Sequence, residues 1–490
     1  MPQTERPNIL IVMVDQEGGG IMAPGHPCRT PNADRLAREG LRFSQTYTIA
    51  AHCCPSRATF MTGLFPSQHG IYNNVLNQAA LHESLNPGVT TFSEVLRDEG
   101  YELGFSGKWH VSATEGPADR GWKEYMASGV QGEMHGLRWE RFRQMAQEPE
   151  SDAPREKGEL LRPGWGRYRL YGTRTPDPEH DPYHPHDIQA VRAGLQALED
   201  LSSSGQPWCL FIGPVGPHDP YILPEKYATM YDPDDVTLPP SFYDNLLDKP
   251  RVYQRQRRFW SQMSEQEYRE AIAHYWGFCT MQDDLLGMVL DGLDATGQAD
   301  NTVVIFTSDH GDYAGAHGLF MKGVAAFDEC YHVPLLVRWP AGITDAGRTV
   351  DEFVSLADFA PTFVELGGGE LPRSSGQSLV PFFRGEEPED WPDAVYTQFN
   401  GVELYYSQRV VRTKDWKYVY NGFDDDELYN LQEDPHCLRN VAQDPRNRAV
   451  LEEMCARMWK RGYLEDDIFC NPYPTVSLAP FGPMVGLRDL

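Results

Sequence analysis

Two thiols stand side by side at Cys53-Cys54 and lead into Pro55-Ser56-Arg57-Ala58-Thr59-Phe60-Met61-Thr62-Gly63. A cysteine is either a small buried hydrophobe or, when a neighbour activates it, a nucleophile. A protease-like pairing of Cys53 with His52 is disfavoured, because adjacent side chains in a strand point to opposite faces. Further chemistry-bearing residues sit where apolar runs stop. Asp15 follows Asn8-Ile-Leu-Ile-Val-Met-Val, His218 lies just beyond Trp208-Cys-Leu-Phe-Ile-Gly, and Asp309-His310 follow Thr302-Val-Val-Ile-Phe-Thr-Ser. Polar residues at the carboxyl ends of strands lie where open α/β sheets bind ligands.

The elements that deliver these residues follow from patterning. Each run is continuous and partly β-branched, as in a central strand buried on both faces. Between the runs, Phe92, Val95 and Leu96, and then Ala271, Tyr275, Phe278, Leu285, Met288 and Val289, recur mostly at helical spacings. Alternating strand and helix predicts an α/β fold: a large, mostly parallel sheet covered by helices on both faces. Residues 112–186 are rich in Gly, Pro, Arg, His and Trp, with weak periodicity, and read as an insertion of loops and short helices. The Gly- and Pro-rich stretch from Gly367 to Pro388 marks a boundary, giving a catalytic domain at 1–375 and a smaller C-terminal subdomain at 376–490. There an antiparallel hairpin over Gln408–Asn421 and a helix near Arg446–Arg461 are expected.

A chain of 490 residues has room for one large domain and a smaller one. Against 71 acidic residues stand 43 Lys and Arg, a net charge of −28 that repels nucleic acid and anionic membranes. An anionic small substrate then needs a local basic pocket. No apolar stretch reaches the roughly 18 residues of a membrane helix. The first residues lack the apolar core of a secretory signal, so the chain as given reads as cytoplasmic, or periplasmic if a leader was trimmed. Nine cysteines without a CxxC pair do not form a disulfide framework.

The segment Cys53–Gly63 resembles the sulfatase signature C-x-P-S-R-x-x-x-[LM]-T-G at every specified position. A chance match has a probability on the order of 10⁻⁹ per window from average residue usage. Other landmarks resemble the same family in order: Thr30-Pro31-Asn32, Asn74, Gly107-Lys108-Trp109-His110, Gly216-Pro217-His218-Asp219-Pro220, Ser308-Asp309-His310-Gly311 with Lys322, and Asp426-Glu427-Leu428-Tyr429-Asn430. One departure is Gln16, where the family usually has a second Asp.

The resemblance implies an alkaline-phosphatase-like fold and hydrolysis of an aryl or carbohydrate sulfate ester, with release of inorganic sulfate. Cys53 would become formylglycine through a formylglycine-generating enzyme. The aldehyde hydrates to a diol, one hydroxyl attacking sulfur and the other expelling the product. Asp15, Gln16, Asp309, His310 and the modified Cys53 would hold a divalent metal, Ca²⁺ by preference, with Mg²⁺, Mn²⁺ or Zn²⁺ as alternatives. Arg57, Lys108 and Lys322 would hold the sulfate, with Asn74 lining the pocket. His110 would deprotonate the second hydroxyl, and His218 would protonate the leaving oxygen. A phosphonate or phosphate ester hydrolase of the same superfamily is the nearest rival, and a catalytically dead binding protein on this fold is another. The intact C-x-P-S-R and GKWH motifs favour sulfate. His317, Trp139, Trp165, Arg138 and Arg167 are further polar or aromatic residues that a pocket could recruit.

Overall fold

The computed structural model describes residues 6–77, 79–130, 139–148, 152–402, 405–471, 478–488 and 490. Its strands are β1 (Asn8–Val14), β2 (Leu41–Tyr47), β3 (Glu102–Lys108), β4 (Lys123–Ser128), β5 (Glu159–Arg162), β6 (Gly166–Arg169), β7 (Tyr171–Thr173), β8 (Trp208–Gly213), β9 (Tyr221–Leu223), β10 (Thr302–Ser308), β11 (Leu335–Arg338), β12 (Thr349–Ser355), β13 (Ala394–Gly401), β14 (Tyr405–Thr413), β15 (Trp416–Asn421) and β16 (Glu427–Asn430). Eight of these form one sheet in the order β12-β2-β11-β10-β1-β8-β3-β4. Only β11 runs antiparallel to its neighbours in it.

The alternation along β1 shows why its run is apolar throughout. Leu10, Val12 and Val14 enter one core, which includes Leu285, Leu286 and Val289 of the long helix Glu265–Thr296. Ile9, Ile11 and Met13 enter another, with Phe60 of the helix Cys53–Thr62 and Phe363 of the helix Phe359–Gly367. Both faces of the sheet are therefore covered, as the uninterrupted hydrophobicity requires.

The reading of 112–186 as loops and short helices is corrected in one respect. Lys123–Ser128 is a strand that pairs in parallel with β3 and closes one edge of the main sheet. Its sequence, Lys-Glu-Tyr-Met-Ala-Ser, is exposed or half-buried, so it carries no apolar run to betray it. The same segment also contributes the β5–β6 hairpin and β7, which pairs with β9 just after the His218 loop.

Towards the C-terminus, β13-β14-β15-β16 form an antiparallel sheet against the helix Arg448–Leu464. Tyr418, Leu428, Met454 and Trp459 join its core. One buried ion pair spans this unit. Arg409 Nε and Nη2 donate to Asp467 at 2.6 and 2.7 Å, and Tyr396 donates to the same carboxylate at 2.6 Å. Both charged side chains are at most 1% exposed. Asp467→Asn should therefore cost about 3–5 kcal/mol, because it strands a buried guanidinium, whereas Arg409→Met with Asp467→Leu should cost far less. Urea unfolding followed by tyrosine and tryptophan fluorescence checks this. Equal midpoints for Asp467→Asn and the wild type would show that the pair contributes nothing.

Candidate active site

Strand register brings the first residues together. Val14 pairs with Ser308 across β1 and β10, so the next residues, Asp15 and Asp309, leave adjacent strands side by side. On the other flank, Gly107 of β3 pairs with Gly213 of β8. Gly107 has φ +108°, and a Cβ there would lie 2.1 Å from the Gly213 carbonyl oxygen, so only glycine lets β3 bring Lys108 this close. Lys108 then donates to Asp15 Oδ2.

The sequence from Cys53 folds as a helix, Cys53–Thr62, with all ten residues buried. The two thiols differ sharply. Cys54 faces the core, its sulfur accepts from Val75 N at 3.4 Å, and burial pushes its pKa up. Cys53 Sγ lies 3.2 Å from His310 Nε2 and 3.9 Å from Asp15 Oδ1, with His110 in hydrogen-bonding reach. Burial would raise its pKa too, but Lys108, Lys322 and His310 overcome that and hold the thiol well below its ordinary value.

Ser56 and Arg57 explain why the signature needs those residue types. Ser56 Oγ donates to the Asp309 carbonyl and accepts from Thr48 Oγ1. Arg57 Nε donates to Asp309 Oδ2 at 2.7 Å, its Nη1 donates to the Lys108 carbonyl at 2.9 Å, and its Nη2 lies 3.7 Å from Asp15 Oδ2. At 1% exposure, Arg57 ties the Cys53–Thr62 helix to three strand ends.

An Asp15 carboxylate oxygen, Cys53 Sγ, an Asp309 oxygen and a His310 nitrogen all lie within 4.8 Å of one another, and all four residues are buried. His310 Nδ1 donates to the Gly311 carbonyl at 3.0 Å, so the lone pair of Nε2 faces Cys53 and both carboxylates. Two carboxylates, a thiol and an imidazole lone pair converging in a buried space fit a divalent cation.

Gln16 sits at φ +70°. Its backbone N–H donates to Asp309 Oδ1, and its amide nitrogen donates to Asp219 Oδ1 at 3.0 Å and Asp312 Oδ2 at 2.7 Å. Those two acceptors fix the amide, turning its oxygen to Lys322 Nζ at 2.7 Å. Lys322 also donates to His218 Nε2 at 2.7 Å, while His218 Nδ1 donates to the Asp219 carbonyl. Burial and Lys322 oppose protonation of His218, yet Asp219 and Asp15 leave its pKa raised.

Sequence reasoning missed the supporting residues. Asp219 accepts from Tyr168 at 2.5 Å, and Asp312 accepts from Tyr221 at 2.5 Å. Asp219 lies within the Gly216–Pro220 segment but with no role assigned to it, and Asp312 directly follows Gly311, a weak signal, whereas nothing local marks the tyrosines. Asn74 Oδ1 accepts from Cys54 N at 3.1 Å, so it caps the first turn of the Cys53–Thr62 helix. His317 stacks on Phe327 and bonds to Asp244. Arg167 is tied to Glu159, and Trp165 is 57% exposed, edge-on to Phe142. Arg138 and the side chain of Trp139 lie outside the described residues.

Fold and site together define a hydrolase for esters of tetrahedral oxyanions: a buried helix that starts at Cys53, a carboxylate cluster able to hold a cation, and three buried or half-buried cations at the carboxyl end of an α/β sheet. The comparisons narrow this. The Sulfatase family model matches residues 7–369, and the model of the C-terminal part of N-sulphoglucosamine sulphohydrolase matches residues 315–462. The choline-sulfatase of Rhizobium meliloti (strain 1021) is 31% identical over 90% of this chain and 84% of its own length. The N-acetylglucosamine-6-O-sulfatase of Bacteroides thetaiotaomicron is 26% identical over 90% of this chain and 83% of its own length. The solved phosphonate monoester hydrolase of Agrobacterium radiobacter superposes with a TM-score of 0.75 at 26% identity, covering 94% of this chain and 96% of that one. The chain belongs to the sulfatase family of the alkaline phosphatase superfamily and is a sulfuric ester hydrolase. Among the described residues, no helix is long and apolar enough to cross a membrane.

Proposed function

We propose that the enzyme hydrolyses an aryl or carbohydrate sulfate monoester with residue 53, converted from cysteine to formylglycine, as nucleophile. The observation that carries this reading is the position of Cys53. It starts a buried helix and is ringed by His310, His110, Lys108 and Lys322, while Cys54 beside it faces the core. We further propose that Asp15, Asp309, His310 and the residue-53 side chain hold a divalent cation, Ca²⁺ by preference for its oxygen donors. The amide oxygen of Gln16 has a second lone pair beyond the one Lys322 uses, and it adds a neutral donor to this shell. Such a cation would lower the pKa of the attacking hydroxyl and neutralise sulfate oxygens.

The chain's own residues do the rest. Lys108 and Lys322 offer ammonium donors to sulfate oxygens inside a protein whose net charge is −28. Arg57 holds the carboxylates that hold the cation. His110, in reach of residue 53, takes a proton from its second hydroxyl, and His218, beside Lys322, gives one to the leaving oxygen. Asn74 fixes the start of the nucleophile helix.

The likeness to a phosphonate monoester hydrolase favours a second reading, phosphonate or phosphate ester hydrolysis. Turnover of 4-nitrophenyl sulfate beside 4-nitrophenyl phosphate and a phenylphosphonate monoester decides between them. Sulfate should lead in kcat/KM, and a lead for either phosphorus ester would overturn the proposal.

The role of His218 has its own test. Protonation matters most for a strongly basic leaving oxygen. His218→Ala should lose about 10²–10⁴-fold on an alkyl or sugar sulfate and much less on nitrophenyl sulfate. Lys108→Ala should damage both. Equal losses for His218→Ala across sulfates of graded leaving-group pKa would assign His218 to holding sulfate.

A further inference from the structure

On the far flank of His218, the carboxyl end of the sheet opens into a cavity of about 590 Å³, whose walls include Arg174, His184, His186, His218, Asp219 and Phe278. Small-molecule pockets run from about 300 to 1,000 Å³, so it admits a sugar ring. His218 turns Nε2 to Lys322 and also lines this space, so it is shared by the reaction centre and the cavity.

The wall is prepared for negative charge. Among the described residues, the Arg174 side chain makes no hydrogen bond. Its nearest carboxylate, on Asp177, stands 3.6 Å away and is already bonded to His180 at 2.7 Å. Other arginines of the same segment are closed: Arg155 by Glu267 at 2.6 Å, and Arg167 and Arg169 by Glu159 at 3.1 Å each. His184 Nδ1 is buried without a hydrogen-bond partner. The 18-residue helix Pro185–Ser202 starts at this wall and turns its positive end to it. The carboxylates nearby are hydrogen-bonded, although Asp187 also faces the wall histidines, 3.3 Å from His186 Nδ1 and 3.7 Å from His184 Nδ1. Asp187 accepts from Val215 N, Gly216 N and Gln282, and Asp219 accepts from Gln16 and Tyr168.

We propose that this cavity holds the leaving-group side of the substrate and that Arg174 recognises an oxyanion on it, a carboxylate or a second sulfate on the sugar. This deepens the sulfatase reading and rests on it. The substrate class is then an acidic saccharide sulfate, and Arg174 is a specificity-determining residue.

The test compares kcat/KM of the wild type, Arg174→Gln and Arg174→Lys on 4-nitrophenyl sulfate, a neutral hexose sulfate, a sulfated disaccharide bearing a uronate and one bearing a second sulfate. The wild type should prefer a charged disaccharide over the neutral sugar by about 10–100-fold, as a charge-assisted bidentate contact allows. Arg174→Gln should erase that ratio, chiefly through KM, and Arg174→Lys should restore part of it. Whichever charged disaccharide responds identifies the oxyanion. A wild type without preference, or a ratio untouched by Arg174→Gln, overturns the proposal while turnover of 4-nitrophenyl sulfate leaves the sulfatase reading standing. If no sulfate ester is turned over, that reading fails, and calorimetry with methyl glucuronide and glucose 6-sulfate judges the cavity by itself. Binding that Arg174→Gln abolishes upholds it, and absence of binding overturns it.

Discussion

Cys53→Ala should lower turnover of every sulfate ester by at least about 10⁴-fold, while the protein still folds. The loss follows from removal of the only side chain in the cluster from which the proposed modification can make a nucleophile. The remaining cations and histidines would still bind sulfate, so substrate binding should survive better than turnover. Cys54→Ala is the contrast. That thiol lies in the core with its pKa pushed up by burial, so its loss should cost about 1 kcal/mol of stability and leave the chemistry in place. Peptide mass spectrometry of active enzyme should find the aldehyde at residue 53. Active preparations carrying only unmodified Cys53 would sink the proposal.

Asp309→Ala should also be inactive, even with metal in excess. The side chain has two tasks at once. Its oxygens belong to the convergent donor set, and Oδ2 accepts from Arg57 Nε at 2.7 Å in a site with no exposure. Removing it takes an anionic donor from the cation and strands the Arg57 guanidinium, at about 3–5 kcal/mol. Assays therefore belong well below the variant's melting transition. Exhaustive chelation of the wild type should abolish activity, and re-addition of Ca²⁺ should restore it. Full activity in enzyme shown by elemental analysis to be metal-free would count decisively against the assigned donors.

The main sheet was legible from sequence because its central strands are buried on both faces, so β1, β8 and β10 appear as apolar runs that end at Asp15, before His218 and at Asp309. An edge strand has no such requirement, and β4 hid among polar residues. In the site, motif residues were readable because their types and spacing are local. Their supports were not. That Tyr168 steadies Asp219 depends on the β5–β6 hairpin lying beside the loop after β8, a fact of topology over 51 residues of sequence. Likewise, Arg57 can be recognised from its motif, yet its grip on Asp309, 252 residues away, follows only from the packing of the Cys53–Thr62 helix against the strand ends.

The burial of Cys53 sets a clock. At 1% exposure, beneath strand ends pinned by Ser56 and Arg57, it admits no other protein's catalytic cleft once the sheet has closed. If residue 53 carries the proposed modification, a modifying protein would have to meet the chain before β10 adds Asp309 beside Asp15, more than 250 residues after Cys53 in the sequence. Maturation would then be a race between modification and folding. Chains that folded first would keep the buried thiol, so the active fraction of a preparation would be decided during synthesis rather than afterwards.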